Sequence, residues 1–394
     1  MTVSGKIVLK KGKEFSLARF HPWIFSGAIQ GIEGEVLDGS WVEVRDSKSS
    51  LLGFGHYQHG SIAVRMLAFG DQSLPEDFWA VRFRAAWNTR QSFRLPSAGT
   101  NCFRLIHGEG DGLPGLIIDY YDGAAVVQAH SVGMHNDRFH IAAALRDIVP
   151  GLKTIFYKSQ GTLPGKIRDK DQDEYLLGLG VVPHIVLENS QKFYVDWEEG
   201  QKTGFFIDQR DNRRLLGDFA KDKIVLNTFC YTGGFSVYAL QAGASLVHSV
   251  DSSEKAIQLT QKNLELNGFN PNLHHCYPDD TFDFLKERQD QYDVIVLDPP
   301  AFAKHRDARH QAVKGYQRFN AEAMRAIRKG GIIFTFSCSQ VVDRQLFYDT
   351  IVSAAIQAGR SMKVLHHLSQ PADHPVSIFH PEGEYLKGLV LYVE

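Results

Sequence analysis

The sequence predicts a multidomain α/β protein: a small N-terminal β-barrel at residues 1–70, an α+β middle domain at 71–190 and a doubly wound domain at 191–394. Three observations predict it. A chain of 394 residues exceeds what one hydrophobic core ordinarily organises, so two or three domains are expected. From Ile224 onward, strand-like and helix-like stretches alternate regularly, the pattern of a parallel sheet covered on both faces. Near the N-terminus, short apolar runs are separated by Gly, Asp and Ser, which suits strands joined by tight turns.

Composition narrows the class. Hydrophobic content of 43% and charged content of 22% are those of a water-soluble globular chain. The formal net charge of −2 carries no global signal for nucleic acid, so any such surface must be local. Cys102, Cys230, Cys276 and Cys338 are scattered, without a C-x-x-C pair; neither a structural zinc site nor a disulfide framework is expected, and no metal. No run approaches membrane-spanning length and the N-terminus lacks a signal-peptide core, so the expected setting is cytoplasmic, without a membrane.

Taken in order, strands are expected at 7–9, 41–44, 51–57 and 62–67. Between residues 6 and 19 the cations Lys6, Lys10, Lys11, Lys13 and Arg19 face one anion, Glu14. A basic stretch interleaved with Phe, His and Trp suits phosphates and stacked bases, although this segment by itself reads more readily as a solvated turn beside a core Trp. A helix is expected at about 75–94. Gly108 to Gly115 reads as the turn of a hairpin between strands at 103–106 and 116–119. It is no phosphate loop, because no Gly-Lys-Ser/Thr follows. Strands at 124–129, 154–157 and 184–187 and a helix at 137–148 complete the middle domain.

In the last domain, strands are expected at 224–228, 246–250, 273–277, 293–297 and 331–336, with helices at 234–242, 253–267, 281–288 and 314–328. The first turn, from Asn227 and Phe229 to Gly233 and Gly234, is not a G-x-G-x-x-G fingerprint, which argues against a nicotinamide or flavin dinucleotide. Its two glycines still allow a ligand close to the helix start. The second strand ends at Asp251-Ser252, placing a carboxylate for ribose hydroxyls; the third leads to Asp280, able to accept from an adenine amino group. Either aspartate would also serve as a helix N-cap. Val294 to Leu297 is a buried-strand run closed by Asp298-Pro299-Pro300, and the fifth strand closes on Ser337-Cys338-Ser339. A thiol beside a carboxyl group in one cleft suits covalent catalysis on cytosine. Thiolate attack at C6 makes C5 nucleophilic while the acid orients the base.

Acidic strand ends in successive βα units, the Gly-Gly turn and Asp298-Pro299-Pro300 resemble the class I S-adenosylmethionine-dependent methyltransferase fold, which is Rossmann-like. Asn227 departs from it, since that class more often has an acidic residue there. Over its whole length the chain resembles the bacterial 23S ribosomal RNA large-subunit cytosine-C5 methyltransferase family with an N-terminal PUA domain. The likeness runs through Gly12-Lys13, His21-Pro22-Trp23 and Phe25-Ser26-Gly27, then Gly108-Glu109 and Asp111-Gly112-Leu113-Pro114-Gly115. It continues in Lys202-Thr203-Gly204, Asp208-Gln209-Arg210, Tyr231-Thr232-Gly233-Gly234-Phe235 and Ser337-Cys338-Ser339, and ends in Asp373-His374-Pro375 and Tyr385-Leu386-Lys387-Gly388.

The resemblance implies a PUA-like RNA-binding domain, S-adenosyl-L-methionine as cofactor, ribosomal RNA as partner and 5-methylcytosine as product. It implies Cys338 and Asp298 as catalytic residues, with Asn227, Phe229, Gly233, Gly234, Asp251, Ser252, Asp280 and Asp298 around the cofactor. Many RNA cytosine-C5 methyltransferases carry a second cysteine where this chain has Pro300, so a single-cysteine mechanism follows. A basic loop at 304–310, with Arg306 and Arg309, joins Lys10, Lys11 and Lys13 as expected RNA contacts. A guanine N7 or N2 methyltransferase of the same fold and a non-catalytic ribosome-assembly factor are the competing readings, and a homodimer is left open.

Overall fold

Six short strands open the computed structural model, which describes residues 2–71, 73–164, 172–303 and 306–394. They are β1 (Val3–Leu9), β2 (Trp23–Phe25), β3 (Ile29–Gly34), β4 (Trp41–Arg45), β5 (Leu51–Tyr57) and β6 (Ile62–Phe69), in the order β2-β6-β5-β4-β1-β3. Alternation along them turns Ile7, Leu9, Val42, Val44, Val64 and Met66 into one core, joined by Leu17 and Ile24. Next come β7 (Cys102–His107), β8 (Leu116–Tyr121), β9 (Ala124–Ala129), β10 (Thr154–Tyr157) and β11 (Glu174–Leu177), a five-stranded sheet in the order β11-β10-β9-β8-β7. The expected turn at Gly108–Gly115 joins β7 to β8 as an antiparallel pair. Gly110 is required there, because a Cβ would lie 1.8 Å from the Pro375 carbonyl oxygen. A hairpin, β12 (His184–Glu188) with β13 (Gln191–Val195), follows.

The chain divides into two compact units, the first of which holds both the six-stranded and the five-stranded sheet. One holds Met1–Val186, Val195–Phe205 and Ala372–Gly383; the other holds Leu187–Tyr194, Phe206–Pro371 and Glu384–Glu394. The physical reason is the helix Phe78–Ser92, whose Phe78, Trp79, Phe83 and Trp87 pack in one core with Trp41, Phe54 and Leu67 of the first sheet and Phe103, Leu105 and Ile118 of the second. Polar bonds follow the same seam. Asp137 Oδ2 accepts from Trp41 Nε1 at 2.8 Å and lies 3.0 Å from His56 Nε2. The buried Arg90 guanidinium donates to both Asp111 oxygens, at 2.5 and 2.8 Å, and to the Asp373 carbonyl at 2.9 Å. That ties Ala372–Gly383 into this unit.

The second unit is built on seven strands: β14 (Ile224–Thr228), β15 (Leu246–Asp251), β16 (His274–Pro278), β17 (Tyr292–Leu297), β18 (Ile327–Ser337), β19 (Met362–Ser369) and β20 (Lys387–Val393). Their order is β16-β15-β14-β17-β18-β20-β19. The first five are mutually parallel, as their apolar runs require when both faces are covered. β20 is inserted antiparallel between β18 and β19, so the sheet is mixed rather than wholly parallel. Helices Gly234–Gln241, Glu254–Leu266, Thr281–Lys286 and Arg309–Ala326 form the expected crossovers, and Arg344–Ala358 adds another. Ser253, Asp280 and Asp343 cap three of them through their side chains, fixing where each chain leaves the sheet edge. Among the described residues no helix is long and apolar enough to cross a membrane.

Candidate active site

Strand β14 pairs with β15 on one side and β17 on the other, so the connections diverge at this point and open a crevice at the strands' carboxyl ends. Register then sets the edge. Thr228 lies opposite Leu297, and Leu297 opposite Thr335. Phe229, Asp298 and, two residues past Phe336, Cys338 therefore leave neighbouring strands on one edge.

Asp298 is the most perturbed carboxyl group of this edge. It is partly accessible yet closely surrounded by protein, and desolvation, seconded by the neighbouring Asp208 carboxylate, raises its pKa from 3.8 to about 7. Gln209 Nε2 donates to Asp298 Oδ2 at 2.9 Å and, with Arg213, pulls the other way. Gln209 is itself held by Asn212 Nδ2, which donates to its Oε1 at 2.6 Å. Asp208 Oδ2 accepts from Tyr385 Oη at 2.7 Å, whereas its buried Oδ1 has no partner among the described residues. A carboxyl group raised this far holds its proton well above the usual carboxylate range, so this acid can donate as well as accept.

Cys338 is partly buried. The Lys387 ammonium, almost wholly buried, donates to the Ser339 carbonyl at 2.7 Å and the Tyr385 carbonyl at 2.8 Å. The fully buried Tyr316, from the helix Arg309–Ala326, interacts electrostatically with both Cys338 and Asp298, and burial raises its pKa. Asp208, Gln209 and Lys387 belong to motifs quoted above without a role. Tyr316 carries no sequence signal at all: 22 residues separate it from Cys338, and only the β17–helix–β18 crossover joins them.

The first turn is conformationally costly. Phe229 (φ +53°), Tyr231 (φ +46°) and Gly233 (φ +72°) all sit in the left-handed region, which for each non-glycine costs roughly 1–3 kcal/mol. Gly233 is obligatory on a second ground, since a Cβ would meet Thr260 Cγ2 at 2.6 Å. Gly234 leaves room for Arg213, whose guanidinium forms a buried bidentate pair with Glu188 at 2.8 and 2.6 Å. The Phe229 ring packs edge-on against Phe319. Asn227 is buried, and its Nδ2 donates to Ser236 Oγ, which in turn meets Ser249 Oγ. Asp251 accepts from Tyr231 N at 3.1 Å and Ser253 N at 2.9 Å, holding the turn against β15. Ser252 is exposed. Asp280 Oδ1 accepts from Phe282 N and Asp283 N, so the capping role anticipated for it is real and employs one oxygen. The edge is thus lined by acceptors, from Asp208, Asp251, Asp280 and Asp298. A ligand bringing hydroxyl and amino donors with a positive charge complements them.

Lys10, Lys11 and Lys13 are exposed in the first unit, with Lys10 Nζ donating to the Gly27 carbonyl. Arg309 is exposed in the second and pairs with Asp343 at 3.3 Å. Lys304 and His305 lie outside the described residues, and Arg306 is described only in its backbone.

Comparison with known proteins bears on this geometry. A family described as S-adenosylmethionine-dependent methyltransferase matches residues 103–384, and a PUA-like domain matches residues 7–69. The chain is 38% identical to the ribosomal RNA large subunit methyltransferase I of Alteromonas mediterranea, over 99% of both chains. It is 39% identical to that of Shewanella amazonensis, over 99% of this chain and 100% of the relative. The crystal structure of SMU.776 complexed with SAH aligns over 100% of both chains at a TM-score of 0.85 and 23% identity, a likeness of fold. The chain belongs to the S-adenosylmethionine-dependent methyltransferase family, in the group that carries an N-terminal PUA-like domain and includes the ribosomal RNA large subunit methyltransferase I proteins.

Proposed function

We propose that this protein forms 5-methylcytosine in 23S ribosomal RNA of the large subunit, with Cys338 as nucleophile and Asp298 as the acid that engages the base. The observation that supports it is the departure of Asp298 and Cys338 from adjacent strands, β17 and β18, on one sheet edge. The relatives' names supply the RNA. Bound S-adenosylmethionine supplies the methyl group. Asp251 would hold its ribose and Asp280 its adenine amino group, with Phe229, Gly233, Gly234 and Ser252 along the turn and Asn227 bracing it from below.

The steps belong to the chain's own groups. The Cys338 thiolate forms a bond to C6 of the cytosine, and the C5–C6 π pair moves toward C5. Protonated Asp298 donates to N3, which draws charge off the ring and makes C6 the better electrophile. Once C5 has taken the methyl group it loses its proton to a base, and N3 gives its proton back to Asp298. The C5–C6 double bond then re-forms, and the S–C6 bond breaks to return the thiolate. Incubating purified protein with unmodified 23S RNA and S-adenosylmethionine, then digesting the RNA to nucleosides, is expected to yield 5-methylcytidine. A methylguanosine product would overturn this reading in favour of nitrogen methylation, and no methylated product with the cofactor unbound would favour an assembly factor.

Two further outcomes are expected. Asp251→Ala should weaken S-adenosylmethionine binding, measured by calorimetry, by about 1–3 kcal/mol, the usual loss on removing one charged hydrogen-bond partner. Unchanged affinity would take Asp251 out of the cofactor contacts. Replacing Lys10, Lys11 and Lys13 together by Gln should weaken RNA binding and flatten the plot of log affinity against log salt by about 0.7–0.9 for each phosphate that is no longer neutralised. The same holds for Arg306 with Arg309, and cofactor affinity should stay constant in both. A slope equal to wild type would make these ordinary solvated charges.

A further inference from the structure

A lysine inside a sheet is rarely buried without a specific partner. Lys387 opens β20 and pairs with Ser337, the last residue of β18, directly across the antiparallel ladder. From there its ammonium reaches the carbonyl of Ser339, so the side chain spans the position of Cys338 between two residues it contacts or faces. The carbonyl of Tyr385 takes a second N–H.

We propose that Lys387 is a positioning residue for Cys338: its ammonium pins the β18 terminus through the Ser339 carbonyl and holds the thiol in its anionic, nucleophilic form. The inference rests on the reading of Cys338 as nucleophile. The groups facing Lys387 are consistent with this role. Arg344 and Glu384 pair with each other, and Asp343 is engaged by Leu346 N and Arg309. Of the charged groups acting on the ammonium, Cys338 does so most strongly. Tyr316 faces the same thiol from the helix Arg309–Ala326. Burial lowers the Lys387 pKa from 10.5 to about 8, while Cys338 acts to raise it. The group therefore stays cationic at neutral pH and loses its proton a little above it. A cation beside a thiol lowers the thiol's pKa, and the thiolate is the attacking species.

The test separates charge from hydrogen bonding. Lys387→Gln keeps N–H donors for the two carbonyls and removes the charge; Lys387→Arg keeps the charge. In the full-length protein, alkylation of Cys338 by iodoacetamide is followed across pH 6 to 10 by mass spectrometry of its peptide. The midpoint is expected to rise by about one unit or more in Lys387→Gln, with alkylation at pH 7 about tenfold slower, and to return towards wild type in Lys387→Arg. With RNA, kcat should fall in Lys387→Gln while KM for RNA is unchanged. Equal midpoints in wild type and a folded Lys387→Gln overturn the proposal. If Lys387→Gln does not fold, a Lys387→Arg midpoint raised by a unit overturns it. Trapping on 5-fluorocytosine RNA tests the parent reading separately, since the alkylation comparison holds or fails whether or not Cys338 attacks RNA.

Discussion

Replacing Cys338 by alanine is expected to abolish methyl transfer, lowering kcat by several orders of magnitude with cofactor and RNA affinity close to wild type. The asymmetry follows from what the thiol would do. Cytosine C5 is a poor nucleophile until a group adds at C6, so the sulfur's contribution appears only once the S–C6 bond forms. An interaction absent from the ground state leaves binding alone and falls wholly on the chemical step. The substitution is also structurally mild, since Cys338 is only partly buried. RNA bearing 5-fluorocytosine at the target should trap a covalent adduct on wild-type protein, because C5 then carries fluorine where a proton must leave. Peptide mass spectrometry should place that adduct on Cys338 and none on Cys102, Cys230 or Cys276. Full activity in Cys338→Ala would remove covalent catalysis and promote nitrogen methylation, which needs no thiol.

Asp298→Asn is expected to cost about 100- to 10,000-fold in kcat, the usual range for a positioned acid, while making the folded protein more stable at neutral and alkaline pH. Both effects follow from the carboxyl pKa near 7. In the unfolded chain this group ionises near 3.8, whereas the folded state holds its proton to about 7. Between those values the native state binds more protons than the unfolded state, so stability falls as pH rises from about 4 to about 7. The full displacement would be worth about 4 kcal/mol; partial access to water reduces the expected effect to roughly 1–3 kcal/mol. Urea melts of wild type and Asp298→Asn should therefore diverge at pH 8 and converge below pH 4. The pH–rate profile should lose the basic limb that reports a protonated Asp298. Equal stabilities at pH 8 would mean that the group ionises freely in the folded state, and the donor role at N3 would fall with it.

The residues of the second unit show why some of this was legible in one dimension. A run such as Val294–Leu297 can be buried on both faces only inside a covered parallel sheet, and Pro299-Pro300 can only end it, so strand β17 and the location of Asp298 follow from local chemistry. The same holds for Asp280, whose capping is written within three residues of its helix start, whereas the helix Glu254–Leu266 is capped by Ser253 and not by the expected Asp251. Local patterning therefore determined the repeating βα units, the sheet edge they share and the candidate nucleophile and acid. Other features depend on contacts between distant residues, which periodicity cannot reach. Gln209 meets Asp298 across 89 positions, Tyr385 meets Asp208 across 177 and Lys387 meets Ser339 across 48. Strands β19 and β20 lie beyond the five expected from the sequence, and the antiparallel insertion of β20 between β18 and β19 was settled by pairing rather than by composition. The core that joins the first two sheets within one unit is of this kind, filled by four aromatic side chains on a single helix. The raised pKa of Asp298 belongs to the same class: a carboxyl's identity is in the sequence, but the desolvation and the neighbouring Asp208 that set its proton affinity exist only once the chain has closed around it.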